Sequence, residues 1–248
     1  MIRIHRDGGV NVLRFDRPEK KNAITGDMYT ALAEGLKAGD SDGDVRCHLI
    51  CGSPGAFTAG NDIADFLQHA GKGDFAKMPV LQFLDALARA QKPLVAAVDG
   101  LAIGVGTTLL FHCDMVFASP RTLIKSPFVD LGLVPEAGSS LLAPRLMGHQ
   151  RAFELLCLGE GFSAEVAQAA GLVNHVVPEE QLEARALATA HAIASKPVEA
   201  MRLSRDLLRG DRSDLLQRMD EEAKLFAARL SSAEAMAAFT AFMSKGKA

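Results

Sequence analysis

Short apolar runs alternate with helical periodicities along most of the chain. Polar and apolar positions alternate over residues 1–5 and Val10–Phe15, and Asp7-Gly8-Gly9 between them predicts a hairpin. Tyr29, Leu32, Ala33 and Leu36 share one face of a helix predicted over residues 25–38. Residues 45–51 read as a strand, and Leu81, Leu84, Leu87 and Ala88 give helical spacing to residues 80–89. Leu94–Val98, Met115–Ala118 and Leu123–Lys125 are short apolar runs bounded by turn residues, as buried strands are. Ser139 is placed to cap a helix that runs to Met147 and ends at Gly148, and Ser163 to start another ended by Gly171. A last strand is predicted over residues 173–177. Beyond Pro178 strand signals vanish and helical spacing takes over, with Pro197 as a boundary. Strand–turn–helix units in succession predict an α/β fold, with a core over residues 1–195 and a helical region over residues 196–248. Leu207, Leu208, Leu225, Phe226, Met236, Phe239 and Phe242 give that region apolar surface to cover. It must pack on the core, on a neighbouring subunit, or on both.

One stretch suggests chemistry in its backbone. Leu94–Val98 leads through Asp99-Gly100 to Gly104-Val105-Gly106, and an apolar segment follows over residues 107–113 that reads as a buried helix. A strand feeding a glycine pair at a helix start leaves N–H groups unpaired and aimed at one point, with the helix dipole behind them. Such a point suits a developing negative charge. The plainer alternative is a tight strand-to-helix turn that glycine makes easy, and the stretch by itself does not separate the two.

Composition narrows the function classes. A net charge of −3 over 248 residues offers no basic stripe for nucleic acid and no cationic face for an anionic membrane. Apolar runs stop well short of the ~20 residues of a membrane span. The first residues, Met-Ile-Arg-Ile-His-Arg-Asp, lack the apolar centre of a secretory signal, and Ser-Lys-Gly-Lys-Ala at the end is not the Ser-Lys-Leu peroxisomal address. A soluble, cytoplasmic protein is therefore expected. Cys47, His48 and Cys51 raise the question of a metal site. A strand sets His48 opposite the two thiols, however, and no second Cys or His pair stands at ligand spacing. Free buried thiols are expected there, and no metal.

Four stretches in order resemble the crotonase superfamily of enoyl-CoA hydratases and isomerases, nearly end to end. Arg17-Pro18-Glu19-Lys20-Lys21-Asn22-Ala23-Ile24 is similar to the family's amino-terminal CoA-contact loop, and Ala56-Phe57-Thr58-Ala59-Gly60-Asn61-Asp62-Ile63 to its first oxyanion motif. Residues 93–114 resemble the second oxyanion motif, and residues 163–177, with Ala170-Gly171-Leu172-Val173-Asn174, a later family segment. The resemblance implies a crotonase-like spiral of ββα units with a helical carboxyl-terminal region that assembles a homotrimer or a dimer of trimers. It also implies an acyl-CoA thioester substrate whose carbonyl oxygen sits between the backbone N–H groups of Asn61 and Val105. CoA would meet Lys20 and Lys21 at its phosphates, unless these lysines are only a solvated loop. Ala23, Ala56, Ala59, Gly60, Asp62 and Ile63 would meet the adenine part, and Asp62 is equally placed to cap a helix starting near Ile63. Lys245 or Lys247 of a neighbouring subunit would add a phosphate contact. Residues 64–78 would line the acyl pocket, with a mobile segment around Gly71 and Gly73. No cofactor is implied beyond the CoA that the substrate carries.

Two departures from the family pattern bear on the reaction. Hydratases of the family carry glutamates at two positions that fall here on Thr108 and Phe128, neither of which can act as a carboxylate base. Hydration needs one group to activate water and a source for a second proton, so it is disfavoured. Leu133-Val134-Pro135-Glu136-Ala137-Gly138-Ser139-Ser140 instead resembles a loop of the peroxisomal-type Δ3,Δ2-enoyl-CoA isomerases. The resemblance makes Glu136 the expected single acid and base for moving the double bond of a 3-enoyl-CoA to the 2-position. Outside that context it would pass for a surface glutamate at a helix start. An apolar pocket, with Phe128 and Leu133 as its expected walls, should raise the pKa of Glu136. The alternatives are an atypical hydratase or other enolate enzyme of the family, and a non-catalytic acyl-CoA-binding relative.

Overall fold

A hairpin of β1 (Ile2–Asp7) and β2 (Val10–Phe15) begins a six-stranded sheet, and helix α1 (Gly26–Ser41), capped by the Thr25 side chain, follows. The computed structural model describes residues 1–70 and 78–245; Gly71, Gly73 and Lys247 lie outside them. From β3 onward the chain repeats one move, laying a strand in the six-stranded sheet and then a shorter one in a second sheet. β3 (Cys47–Cys51), β4 (Ala56–Thr58), α2 (Ile63–Ala70) and α3 (Pro79–Arg89) form one turn. β5 (Leu94–Val98), β6 (Leu101–Ile103) and α4 (Val105–Thr108) form the next. β7 (Met115–Ala118), β8 (Leu123–Lys125), α5 (Ser139–Met147) and α6 (His149–Leu156) form a third. After β9 (Phe162–Ser163), α7 (Ala164–Ala169) and β10 (His175–Val176), the sheets stand in the orders β1-β2-β3-β5-β7-β10 and β4-β6-β8-β9. Four helices end the described chain: α8 (Glu179–Ala194), α9 (Val198–Arg209), α10 (Ser213–Leu230) and α11 (Ala233–Lys245). This is the spiral of ββα units that the resemblance implies.

The larger sheet is covered on both sides, so β3 and β5 are buried at every position and, His48 apart, apolar. Ile50, Ala96 and Val98 join a core with Leu32 and Leu36 of α1 and Phe83 and Leu87 of α3. Cys47, Leu49, Val95, Ala97 and Phe117 point the other way, under Leu182, Ala186 and Ala190 of α8. His48 stands on the side opposite its flanking thiols, bonded at 3.1 Å to Asn11 Nδ2 and at 3.1 Å to Asp40 Oδ1.

The short strands β4, β6 and β9 and helix α6 were not foreseen, and three predicted features take another form, each for a local reason. The apolar segment after Gly106 is one α turn passing into a 3₁₀ turn at Leu109–His112. There the Thr107 hydroxyl ties it to the carbonyls of Ala102 (2.6 Å) and Lys125 (3.0 Å). The strand predicted over residues 173–177 shrinks to β10 because the Asn174 side chain, not its backbone, accepts the Val116 N–H at 2.7 Å. Ser139 does not cap α5: Gly138 holds the cap position and the Ser139 hydroxyl bonds back to the Glu136 carbonyl at 2.6 Å.

The carboxyl-terminal helices dock through a buried charge. Arg205 of α9, 4 % exposed, bonds Asp114 Oδ2 at 2.9 Å and the carbonyls of Ala90 and Gln91 at 2.8 and 2.9 Å. Asp114 in turn accepts from the Leu94 N–H at 2.8 Å, so α9 is fastened to the start of β5. Arg205→Ala is expected to cost ~2 kcal/mol, since it leaves the Ala90 and Gln91 carbonyls without their donor and takes one of two arginines from Asp114, which keeps Arg209 at 3.1 Å. Urea unfolding with an unshifted midpoint would show that this contact holds nothing. No helix among the described residues is long and apolar enough to cross a membrane.

Candidate active site

Two backbone turns meet at one cavity. The first lies between β4 and α2, where Gly60 adopts φ +84°. A Cβ on Gly60 would sit 2.8 Å from the Ile103 carbonyl oxygen, so only glycine lets this turn lie against the second one. The second is Gly104-Val105, with Val105 as the first residue of α4 and Gly104 at φ +58° before it. The loop that precedes α1 clamps the first turn. Ala59 N–H donates to the Lys21 carbonyl (2.9 Å), Ile24 N–H to the Gly60 carbonyl (2.8 Å) and Asp62 N–H to the Ile24 carbonyl (2.9 Å). Asn22, fully buried at φ +57°, holds the loop from inside by donating to the Ala56 and Phe57 carbonyls at 2.7 and 3.2 Å.

These bonds use the neighbours of Asn61 and leave Asn61 itself out. Among the described residues, neither the Asn61 N–H nor the Val105 N–H has a hydrogen-bond acceptor. Both residues line a cavity of about 340 Å³, together with Ala23, Ala59, Gly60, Asp62, Ile63 and Gly104. Two unpaired donors from two turns, one of them at a helix start, suit an oxygen that gains negative charge. Tyr29 of α1 donates its hydroxyl to Asn61 Oδ1, which holds that side chain away from the backbone donor's task. From sequence Tyr29 was only part of an apolar helix face.

Of the other expected contacts, Asp62 caps α2 through Asp65 N–H (3.2 Å) and pairs with Arg17 Nη1 (2.8 Å). Burial works to raise its pKa, but the Arg17 bond and neighbouring N–H groups outweigh burial and keep Asp62 below the ordinary carboxylate value. Ala56 is buried in β4, opposite Leu101, and is not on the cavity wall; its part of the expected CoA contact is not available as a surface. Lys20 and Lys21 are exposed on the turn that carries the Lys21 carbonyl.

Glu136 lies in a second, larger cavity of about 870 Å³ that shares Phe66 and Phe226 with the first. Its side chain is 6 % exposed, and Oε1 is buried without a hydrogen-bond partner among the described residues. Burial, and then the charge of Glu222, push its pKa up to about 8. Such a carboxylate is a strong base when ionised and holds its proton near neutrality. Phe128 and Leu133 line the smaller cavity rather than this one; Val80, Leu84, Met219 and Phe226 are apolar walls around Glu136. Phe128 instead meets Phe226 edge-on, with ring centroids 6.3 Å apart. Thr108 is buried and turns its hydroxyl toward the Val105 carbonyl at 3.4 Å. Neither position brings a carboxylate to the paired N–H groups. Glu222 of α10 lines the Glu136 cavity and had no signal in the sequence beyond an acidic residue on a helix.

Comparison with known proteins gives the same outline. The family described as Enoyl-CoA hydratase/isomerase matches residues 5–248. Enoyl-CoA delta isomerase 2 of Rattus norvegicus is 34 % identical over 98 % of this chain and 63 % of its own length. The chain thus spans less than two thirds of that relative. A probable enoyl-CoA hydratase of Rhizobium meliloti is 31 % identical over 99 % of this chain and 95 % of its own. Among solved structures, Pseudomonas aeruginosa OdaA superposes with a TM-score of 0.94 at 43 % identity, over 98 % of both chains.

Proposed function

Since the chain belongs to the enoyl-CoA hydratase/isomerase family, we propose that it acts on acyl-CoA thioesters and converts 3-enoyl-CoA to 2-enoyl-CoA with Glu136 as single acid and base. The observation that carries this is the buried, partly unpaired Glu136 carboxyl, in a cavity that shares Phe66 and Phe226 with the one lined by Asn61 and Val105, whose N–H groups have no acceptor among the described residues. The thioester oxygen takes both N–H bonds. Glu136, as the carboxylate, removes a proton from C2, and the electron pair moves into a dienolate whose oxygen charge the two donors hold. The protonated Glu136 then returns its proton to C4, and the double bond ends between C2 and C3. One carboxyl group suffices, because C2 and C4 can lie on one side of it.

Hydration is the rival in the same family, and one relative is described as a probable hydratase. It calls for a second group to handle water. Glu222 shares the cavity, but both its oxygens accept backbone N–H bonds, at 2.6 and 3.0 Å, and are committed there. Lys20 and Lys21 are suited to the CoA phosphates by their exposure beside the clamped turn. Leu207 and Leu208, 84 % and 89 % exposed on α9, suit burial against a second copy, as a homotrimer or dimer of trimers would provide. Incubation with 3-hexenoyl-CoA and, separately, with crotonyl-CoA tests the proposal by product analysis. Isomerisation is expected to be the faster reaction; faster hydration of crotonyl-CoA would overturn the assignment.

A further inference from the structure

The loop behind Glu136 is held in a conformation that residues other than glycine avoid. Ala137 has φ +63° and Gly138 φ +70°, left-handed positions in succession, and the first bears a Cβ. Two contacts from distant parts of the chain keep it there. His112, in the turn after α4, lies with Nε2 2.7 Å from the Ala137 carbonyl oxygen. Burial pushes the pKa of this imidazole down to about 4, so the ring is neutral and its Nε2–H donates to the carbonyl. On the other side, Glu222 of α10 accepts the Gly138 N–H at Oε2 (2.6 Å) and the Ser140 N–H at Oε1 (3.0 Å). A carboxylate 84 residues away thus caps α5, whose own cap residue has no side chain to do so. Arg218, one turn earlier on α10, reaches Ser140 Oγ at 3.3 Å.

We propose that Glu222 is a positioning residue for the reaction: its two hydrogen bonds set where the Glu136 carboxyl points, and its charge sets how strongly that carboxyl holds a proton. The proposal rests on Glu136 being the base. Glu222 is only 4 % exposed, and burial raises its pKa above the ordinary carboxylate value; its bonds from the Gly138 and Ser140 N–H groups and the charge of Arg218 work against burial and favour the charged form. When ionised it shares one cavity wall with Glu136, and both side chains are buried there. The other ionisable groups around Glu136 do not substitute for it. Tyr29 of α1 stays protonated, because burial and the charges of Glu136 and Asp65 all raise its pKa. At the cavity mouth Asp85 pairs with Arg89 on α3 (2.7 Å) and Asp220 with Lys224 on α10 (2.7 Å). Lys37 of α1 is exposed to solvent there. Like charges at a shared, buried site raise the proton affinity of one of them, and here the group with a free oxygen is Glu136.

The test is the pH dependence of kcat and KM for 3-hexenoyl-CoA in the wild type and in Glu222→Gln, with Glu136→Gln beside them. Glu222→Gln is expected to move the acidic limb of the kcat profile to lower pH. It is also expected to lower the plateau by ~10-fold or more, through misplacement of Glu136, with KM nearly unchanged. A folded Glu222→Gln enzyme whose limb stays at the wild-type pH overturns the inference while leaving Glu136 as the base. Full activity in Glu136→Gln overturns both. If Glu222→Gln does not fold, Glu222→Asp answers the same question. It keeps the charge but loses the reach, so the limb should stay and kcat fall; an unchanged kcat there overturns the inference.

Discussion

Glu136→Gln is expected to lower the isomerisation rate of 3-hexenoyl-CoA by about 10²- to 10⁴-fold, the range that a positioned acid–base group contributes. Glutamine fills nearly the same volume and keeps a polar tip, so thioester binding at the Asn61 and Val105 N–H groups should persist. The loss belongs in kcat. A variant that isomerises at wild-type rates would show that the proton travels by another group. The same substitution has a second, independent signature in stability. Folded, the Glu136 carboxyl keeps its proton up to about pH 8, whereas its ordinary value is 4.5. Between those values the folded chain binds a proton that the unfolded chain has released, so stability declines as pH rises through that window. The amide has no proton to lose. Glu136→Gln should therefore melt above the wild type at pH 9, and the gap should close as pH falls toward 5. Parallel melting curves across that range would mean that Glu136 does not carry its proton as far as pH 8.

Val105→Pro is expected to lower kcat/KM by about 10²- to 10³-fold, the usual cost of removing one donor to a developing oxyanion. The substitution suits the fold better than most backbone edits. Val105 is the first residue of α4, where proline's fixed φ is accommodated and its missing N–H breaks no helical bond. That N–H has no acceptor among the described residues, so folding loses no hydrogen bond either. Circular dichroism should be unchanged. If the folded variant retains its rate, the thioester oxygen is not held at Val105, and the pairing of the two turns has some other purpose.

How much of this was legible in advance depended on how far each signal reaches along the chain. β5, β7 and β8 were read from sequence with the boundaries they have, because β5 lies between Pro93 and Asp99-Gly100 and β7 and β8 flank the Ser119-Pro120 turn. The start of α1 was marked by Thr25, whose side chain does cap it. Glu136, Asn61 and Val105 were all singled out from motif likeness, and the structure brings them to two adjoining cavities. Misreadings arose where a partner came from elsewhere. Ser139 looked like a cap because serine is a good one, yet the cap of α5 arrives from Glu222 on α10. Phe128 and Leu133 were expected around Glu136 because they are near it in sequence, whereas Phe66 and Phe226, from α2 and α10, stand between the two cavities. Ala56 belonged to the right motif, but strand pairing buries it.

The sequence by itself determined the α/β class, the strands of the larger sheet and the helices beside them, and the backbone turns able to present free N–H groups. Those follow from φ restriction at glycine and proline and from apolar spacing, forces that act over a few residues. β4, β6 and β9 of the second sheet had no signal in the sequence. Only the tertiary structure decided that the two N–H turns touch, through a contact at Gly60 too close for any Cβ. It alone decided that Glu136 is buried and shares its cavity with Glu222, and burial first and the Glu222 charge second raise its pKa. Desolvation and charge coupling depend on distance in space, and here they join groups 86 residues apart in the chain (136 to 222). A motif can mark the carboxyl group that matters; its protonation is set by what folds against it.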